Sequence, residues 1–189
     1  MSTIDPSREP LRARRLERIR LLSRIMEWAC LLVSVVLGGA MISYWASTPA
    51  VTVLGHAKLA MPVSGEVGLA VRALGFAISM VPIGALIYGL VSARRCFRAF
   101  ADGRIFSLDA VLGLRTFSIC VGLAALVKPI TSAALSLLLS ATNGLGGRAF
   151  AFEIGSDTIV SLIFAGTATV ITWVLAEATI IADENAQFV

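Results

Sequence analysis

Lys128 is the residue in this sequence with the clearest capacity for chemistry, because it interrupts a long apolar stretch. That stretch covers residues 116–142 and reads TFSICVGLAALVKPITSAALSLLLSAT, with Lys128 and Pro129 near its centre. A helix of this length measures about 40 Å at a rise of about 1.5 Å per residue, which exceeds a hydrocarbon core of about 30 Å. An ionised lysine at the centre of such a span costs roughly 2.5–3.5 kcal/mol, so its neighbours decide what it can do.

The residues after Lys128 offer it polar partners. Pro129 has no N–H, so it leaves a backbone carbonyl free one turn earlier, and the hydroxyls of Thr131 and Ser132 follow. One hypothesis is a polar site inside a helix bundle, formed by Lys128, Pro129, Thr131 and Ser132, for a small ligand, an ion or a proton. The alternative is a lysine that extends towards the membrane surface from a kinked helix. We expect no acid at the same depth, since the acids, Asp157 among them, fall near the predicted membrane edges.

The elements that would position these residues are long apolar helices. The chain has 189 residues, of which 57% are hydrophobic and 15% charged, whereas soluble domains are about 45–50% apolar and about 25% charged. The apolar residues are grouped into four runs, which predict membrane spans at residues 28–46, 67–93, 109–142 and 158–182. The sequence therefore predicts an all-α membrane protein, with a four-transmembrane-helix bundle over residues 28–182.

The basic residues predict the orientation of this bundle. Twelve of the sixteen lie before the first span or near the connection between spans two and three: Arg8, Arg12, Arg14, Arg15, Arg18, Arg20, Arg24, Arg94, Arg95, Arg98, Arg104 and Arg115. The positive-inside rule places both termini in the cytoplasm, with residues 1–27 as a basic amphipathic segment and residues 183–189 as a tail. We expect binding to lipid headgroups and no direct binding of nucleic acid. A cleaved signal peptide is the alternative for the first span.

The connection between spans two and three combines arginines with phenylalanines. Its members are Arg94, Arg95, Phe97, Arg98, Phe100, Arg104 and Phe106. We predict that helix two ends at Asp102-Gly103 and that Ser107 or Asp109 caps helix three. Such a patch suits lipid headgroups, and a cytoplasmic protein partner is the alternative.

Two short segments predict a small extracytoplasmic β element. Residues 51–54 read VTVL and residues 149–154 read AFAFEI, and both contain alternating apolar or β-branched residues. They fall on the same predicted side of the membrane, so they could pair as an antiparallel ribbon. A two-stranded ribbon is marginal alone and would need to pack on the helix ends.

Signatures of catalysis and of cofactor binding are absent from the sequence. There is no nucleophile elbow, no zinc-protease motif, no phosphate-binding loop and no dinucleotide fingerprint. His56 is the single histidine, and the cysteines Cys30, Cys96 and Cys120 are not spaced as a metal site. We therefore predict a protein that is not an enzyme and holds no cofactor or metal.

Two stretches resemble a known family. One is FRAFADGRIFSLDAVLGLRTFSI at residues 97–119, with a Phe-x-x-Gly-x-x-Phe-like core from Phe100 to Phe106 and Arg115 after it. The other is LAEATIIADENAQFV at residues 175–189. Together they are similar to the bacterial membrane family known as domain of unknown function two-nine-seven-five, over most of the chain after residue 73. The resemblance implies a small four-span protein, in a family often encoded beside a helix-turn-helix regulator, and it implies no reaction.

Two functions from different classes fit these features. The first is a bacterial inner-membrane sensor or regulatory partner, whose cytoplasmic face binds a soluble regulatory protein. The alternative is an oligomeric transporter or channel-like unit, a homo-oligomer built around Lys128. A water-filled cavity that reaches Lys128 would favour transport, whereas a closed, dry bundle with an exposed arginine and phenylalanine patch around Phe97 and Phe106 would favour regulation.

Overall fold

Four long helices form the structure. The computed structural model describes residues 9–47, 68–104, 107–142 and 155–187. The helices are α1 (Glu9–Ser47), α2 (Leu69–Ala101), α3 (Leu108–Thr142) and α4 (Ser156–Gln187). Each contains a segment that is long and apolar enough to cross a membrane. The predicted bundle of four long apolar helices is confirmed.

Two further predictions concern the β element and the basic segment before the first span. The predicted β element, residues 51–54 and 149–154, lies outside the described residues, and the described ranges contain no strand. The basic segment and the first predicted span belong to one continuous helix, since α1 runs for 39 residues without interruption. At helical rise that is about 58 Å, well beyond the thickness of a hydrocarbon core.

The helices pack in chain order. The substantial contacts join α1 to α2, α2 to α3, and α3 to α4, so α1 and α4 form the two edges of an open array. Large apolar side chains point outward from both edges, for example Leu32 and Val35 on α1 and Val160 and Ile163 on α4. Helices that are apolar on their outer faces as well as their inner ones are typical of membrane spans.

The interface between α2 and α3 is made of small residues. A Cβ atom placed on Gly113 would lie 2.7 Å from the carbonyl oxygen of Ser92 and 3.0 Å from the backbone nitrogen of Cys96. A Cβ atom on Gly89 would lie 2.8 Å from the Cβ of Cys120. Glycine at both positions therefore lets the two backbones approach closely, as is common where membrane helices pack.

The turn between α2 and α3 follows the predicted capping chemistry. α2 ends at Ala101, and Gly103 adopts a positive φ of 81°. The N–H of Arg104 donates to the carbonyl of Ala99 at 2.9 Å, which completes a Schellman motif. The hydroxyl of Ser107 accepts the N–H of the third residue of α3, so Ser107 caps that helix as predicted.

The first end of the array is defined by contacts between α1, α2 and α3. The guanidinium of Arg72 donates to the carbonyls of Trp45 and Ala46, at 3.3 and 3.4 Å. The indole ring of Trp45 lies directly on Gly75 and is 7% exposed, and Leu135 of α3 packs against it. We refer to this end as the Arg72 end.

The opposite end carries most of the described charged residues. Glu27 of α1 and Arg94 of α2 form an ion pair of 3.3 Å, and the Arg20 guanidinium lies over Gly103. We refer to this end as the Glu27 end. Eighteen residues of α1 separate Glu27 from Trp45, which is about 27 Å at helical rise and close to the thickness of a hydrocarbon core.

Candidate functional site

The ammonium group of Lys128 pairs with the carboxylate of Asp157, in the first turn of α4. The expectation that no acid lies at the depth of Lys128 is therefore wrong. The reason is the starting point of α4, which begins beside the body of α3 rather than beside its last turn. α3 continues for fourteen residues beyond Lys128, or about 21 Å, while Asp157 is only the second residue of α4.

Lys128 lies closer to the Arg72 end than to the Glu27 end. It precedes Leu135, which packs against Trp45, by seven residues or about 10 Å of helix. It follows Gly113, which contacts Ser92 near the Glu27 end, by fifteen residues or about 22 Å. The ion pair thus sits about two-thirds of the way along the array, away from the centre that the sequence suggested.

The ion pair is accessible and has unused bonding capacity. The side chains of Lys128 and Asp157 are 59% and 60% exposed. A lysine ammonium has three N–H donors, and within the described part of the chain Asp157 is the one side chain that accepts from it. The Thr131 hydroxyl donates to the backbone carbonyl of Lys128 at 2.8 Å, and the Ser161 hydroxyl donates to that of Asp157 at 2.7 Å.

A cavity of about 410 Å³ lies between α2, α3 and α4, beside this ion pair. Its wall consists of Ser79, Pro82, Ile83, Leu86, Val121, Ala124, Ala125, Lys128, Thr131, Ser132, Leu135 and Ser161. The volume falls in the range of about 300–1,000 Å³ that is usual for small-molecule sites. Three of the four predicted site residues, Lys128, Thr131 and Ser132, line it.

The polarity of the cavity changes along its length. The hydroxyls of the wall lie close to the ion pair: Thr131 and Ser132 follow Lys128 within about one turn of α3, Ser161 follows Asp157 by one turn of α4, and Ser79 contributes from α2. Apolar side chains lie on both sides of this part, with Leu135 towards the Arg72 end and Leu86 and Val121 towards the Glu27 end. The cavity therefore has a polar middle part that contains Lys128, and an apolar part on each side of it.

Pro129 has a supporting position rather than a lining one. It is buried, α3 continues through it, and it does not contribute to the cavity wall. The sequence also missed Asp157, Ser79 and Ser161 as neighbours of Lys128. The one available signal for Asp157 was its place near the start of the fourth apolar run, where an acid suits the positive end of a helix.

The predicted patch of arginines and phenylalanines is divided by the fold. Arg94 pairs with Glu27, and Arg104 lies 3.5 Å from Asp102 and 3.6 Å from Asp109. These two arginines therefore have acidic partners within the chain.

The phenylalanines of that patch are turned partly inward. Phe100 packs against a buried cluster at the α2–α3 interface, and Phe97 is half-buried. Phe106 lies outside the described residues. Arg95 and Arg98 are exposed, so what this surface presents in the described part of the chain is mainly arginine.

A metal site is not found in the part of the chain that the structure describes. Residues 9–47, 68–104, 107–142 and 155–187 contain no group of three or more histidine, cysteine, aspartate or glutamate side chains that could hold a metal ion. Cys30, Cys96 and Cys120 are each buried with a free thiol. The arrangement therefore offers a binding cavity with one ion pair and several hydroxyls.

Comparisons with protein-family models, curated proteins and solved structures find no match to this chain. The resemblance to the bacterial membrane family therefore stays a prediction. Fold and site together define a class: a protein whose described residues form four helices able to cross a membrane, with an ion pair beside a cavity between three of them.

Proposed function

We propose that this protein is a non-enzymatic, multi-pass protein of the bacterial inner membrane that acts as a sensor. It binds a small ligand in the cavity beside Lys128 and presents the ligand-bound state to a cytoplasmic regulatory protein. The observation that carries this proposal is the cavity of about 410 Å³ whose wall includes Lys128, since the ion pair beside it can orient a ligand.

The charge of the Glu27 end supports a cytoplasmic location for that end. Exposed arginines gather there on two helices, namely Arg18, Arg20 and Arg24 on α1 and Arg95 and Arg98 on α2. α1 begins and α4 finishes at this end, so the positive-inside rule places both termini in the cytoplasm. The arginine surface suits an acidic partner protein as well as anionic headgroups.

A pair of matched substitutions tests the sensor proposal. Ile83→Trp fills the cavity from α2, and Val81→Trp adds the same side chain to an exposed position on that helix. We expect small molecules extracted from the purified protein, and proteins cross-linked at its cytoplasmic face, to differ between wild type and Ile83→Trp. Val81→Trp should match wild type in both measurements. Identical sets of bound molecules in all three proteins would contradict the proposal.

An oligomeric transporter is the second candidate, and it is favoured by the cavity that reaches Lys128 and by the open array. α1 and α4 form separate edges, so a second copy is required to enclose a passage beside the cavity. Measuring the mass of the protein in lipid nanodiscs separates the candidates. A strict monomer would leave the sensor as the better proposal, whereas a closed oligomer that moves solute across liposome membranes would favour transport.

A further inference from the structure

Building on the proposed function, we infer that the cavity binds a single-chain amphiphile with an anionic headgroup, which competes with Asp157 for Lys128. The ligand class follows from three properties of the site. They are the hydrogen-bond donors that the Lys128 ammonium does not use for Asp157, the position of Asp157 at the start of a helix, and the apolar part of the cavity wall.

The first property is the unused donor capacity of Lys128. Asp157 occupies one direction of the ammonium, and no other described side chain accepts from it. Because the Lys128 side chain is 59% exposed, its other donors can reach an acceptor that enters the cavity. The hydroxyls of Ser79 and Ser132 also line the cavity and can bond the same headgroup.

The second property is an excess of positive charge where the first turn of α4 meets Lys128. Asp157 lies in the first turn of this 32-residue helix, where the positive end of the helix dipole already favours a carboxylate. The carboxylate therefore does not depend on Lys128 alone for compensation. Lys128 and the helix end together carry more positive charge than Asp157 neutralises, which favours an anionic ligand over a cationic one.

The third property is the apolar part of the cavity. Ile83, Leu86 and Val121 line the part of the wall that lies from Lys128 towards the Glu27 end. A headgroup at Lys128 and the hydroxyls near it, with an alkyl chain along Ile83, Leu86 and Val121, uses both the polar and the apolar parts of the wall. The volume of about 410 Å³ is at the small end of ligand sites, which suits one chain rather than a two-chain lipid.

Photoaffinity labelling of the full-length protein in phosphatidylcholine nanodiscs tests this inference. The probes are dodecanoate, dodecylamine and dodecanol, each carrying the same photoreactive group in its chain, and labelled positions are mapped by mass spectrometry. We expect dodecanoate to label Leu86 or Val121 in preference to the outward-facing Val81, and excess unlabelled dodecanoate to remove that label. Excess phosphatidylglycerol in the nanodisc should compete weakly, which separates a free single-chain anion from a two-chain lipid.

Three substitutions at the ion pair test the direction in which labelling of the cavity changes. Lys128→Met should reduce dodecanoate labelling of the cavity at least about five-fold, and Lys128→Arg should retain it. Asp157→Asn should increase it about three-fold, because the competing carboxylate is removed. Asp109→Asn, which changes a first-turn acid at the far end of α3, is the matched control and should have no effect. A gain in Asp157→Asn at Leu86 or Val121, with labelling of Val81 unchanged, distinguishes tighter binding in the cavity from a general loosening of the fold.

The outcomes distinguish this inference from the proposed function. Cavity labelling by dodecylamine or dodecanol in preference to dodecanoate, or a loss in Asp157→Asn, overturns the ligand class and leaves a ligand-binding cavity in place. Preferential competition by phosphatidylglycerol overturns the single-chain assignment. Labelling by all three probes that is no greater in the cavity than at Val81, and that Ile83→Trp does not change, overturns both.

Discussion

Lys128 and Asp157 are 29 residues apart in sequence and form an ion pair between α3 and α4. The pair holds the first turn of α4 beside the body of α3, and its Lys128 side chain lines the cavity. Four apolar helices could slide along their axes to many relative heights and bury similar areas of apolar surface. The Lys128–Asp157 pair favours one of those heights, because its two charges meet only when the first turn of α4 lies beside Lys128.

Neutralising one residue of the ion pair should destabilise the protein more than neutralising both residues together. Lys128→Met and Asp157→Asn each leave one unpaired charge, and the double variant leaves none. We expect each single variant to lower the thermal midpoint in detergent by a few degrees and the double variant to lower it by less than the sum. Glu177→Gln, which neutralises an exposed acid elsewhere on α4, serves as the control. Effects that simply add would show that the pair contributes no coupling.

The close approach of α2 and α3 at Gly113 predicts a sharp contrast between two glycines. Gly113→Ala should destabilise the protein by about 1–3 kcal/mol, because the new Cβ meets the backbone of Ser92 and Cys96 and must separate the helices. Gly84→Ala should be neutral or stabilising by about 0.5–1 kcal/mol, since nothing lies within 4 Å of its Cβ position.

Thiol labelling measures the same separation directly. Cys96 is 2% exposed at this interface, so a maleimide should label it slowly in wild type and in Gly84→Ala, and faster in Gly113→Ala. Equal labelling rates in the two glycine variants would argue against a tight interface at Gly113.

Arg72 should stabilise the last turn of α1. Its guanidinium donates to the carbonyls of Trp45 and Ala46, which have no intrahelical partner at a helix end. Arg72→Met should therefore cost about 1 kcal/mol and speed hydrogen exchange at the end of α1. Arg115→Met, a change at an exposed arginine of α3, is the control and should leave exchange in α1 unaltered.

The proposed orientation predicts the same accessibility for both chain ends. Tags at Met1 and at Val189 should be cleaved by protease in inverted membrane vesicles and protected in intact spheroplasts. The reason is the excess of arginine at the Glu27 end, which resists translocation. One tag protected and the other cleaved in the same preparation would contradict an even number of crossings.

Local chemistry was predictable wherever it depended on neighbouring residues. The end of α2 at Gly103 and the cap at Ser107 follow from rules about single residues at helix ends, and both are confirmed. The four long helices follow from apolar run length alone. The arginine and phenylalanine patch was less predictable, because burial of Phe100 depends on how α2 meets α3.

The long apolar helices, the turn between α2 and α3, and a lysine inside one apolar run could all be predicted from the amino-acid sequence. The pairing of that lysine with Asp157 could not, and it became evident from the packing of α4 against α3. The height of α4 against α3 depends on packing between helices and on the path of the chain between them, and neither is encoded in the apolar pattern of one helix. For the same physical reason the cavity beside Lys128 exists only in the packed array, as the space that the side chains of three neighbouring helices leave unfilled.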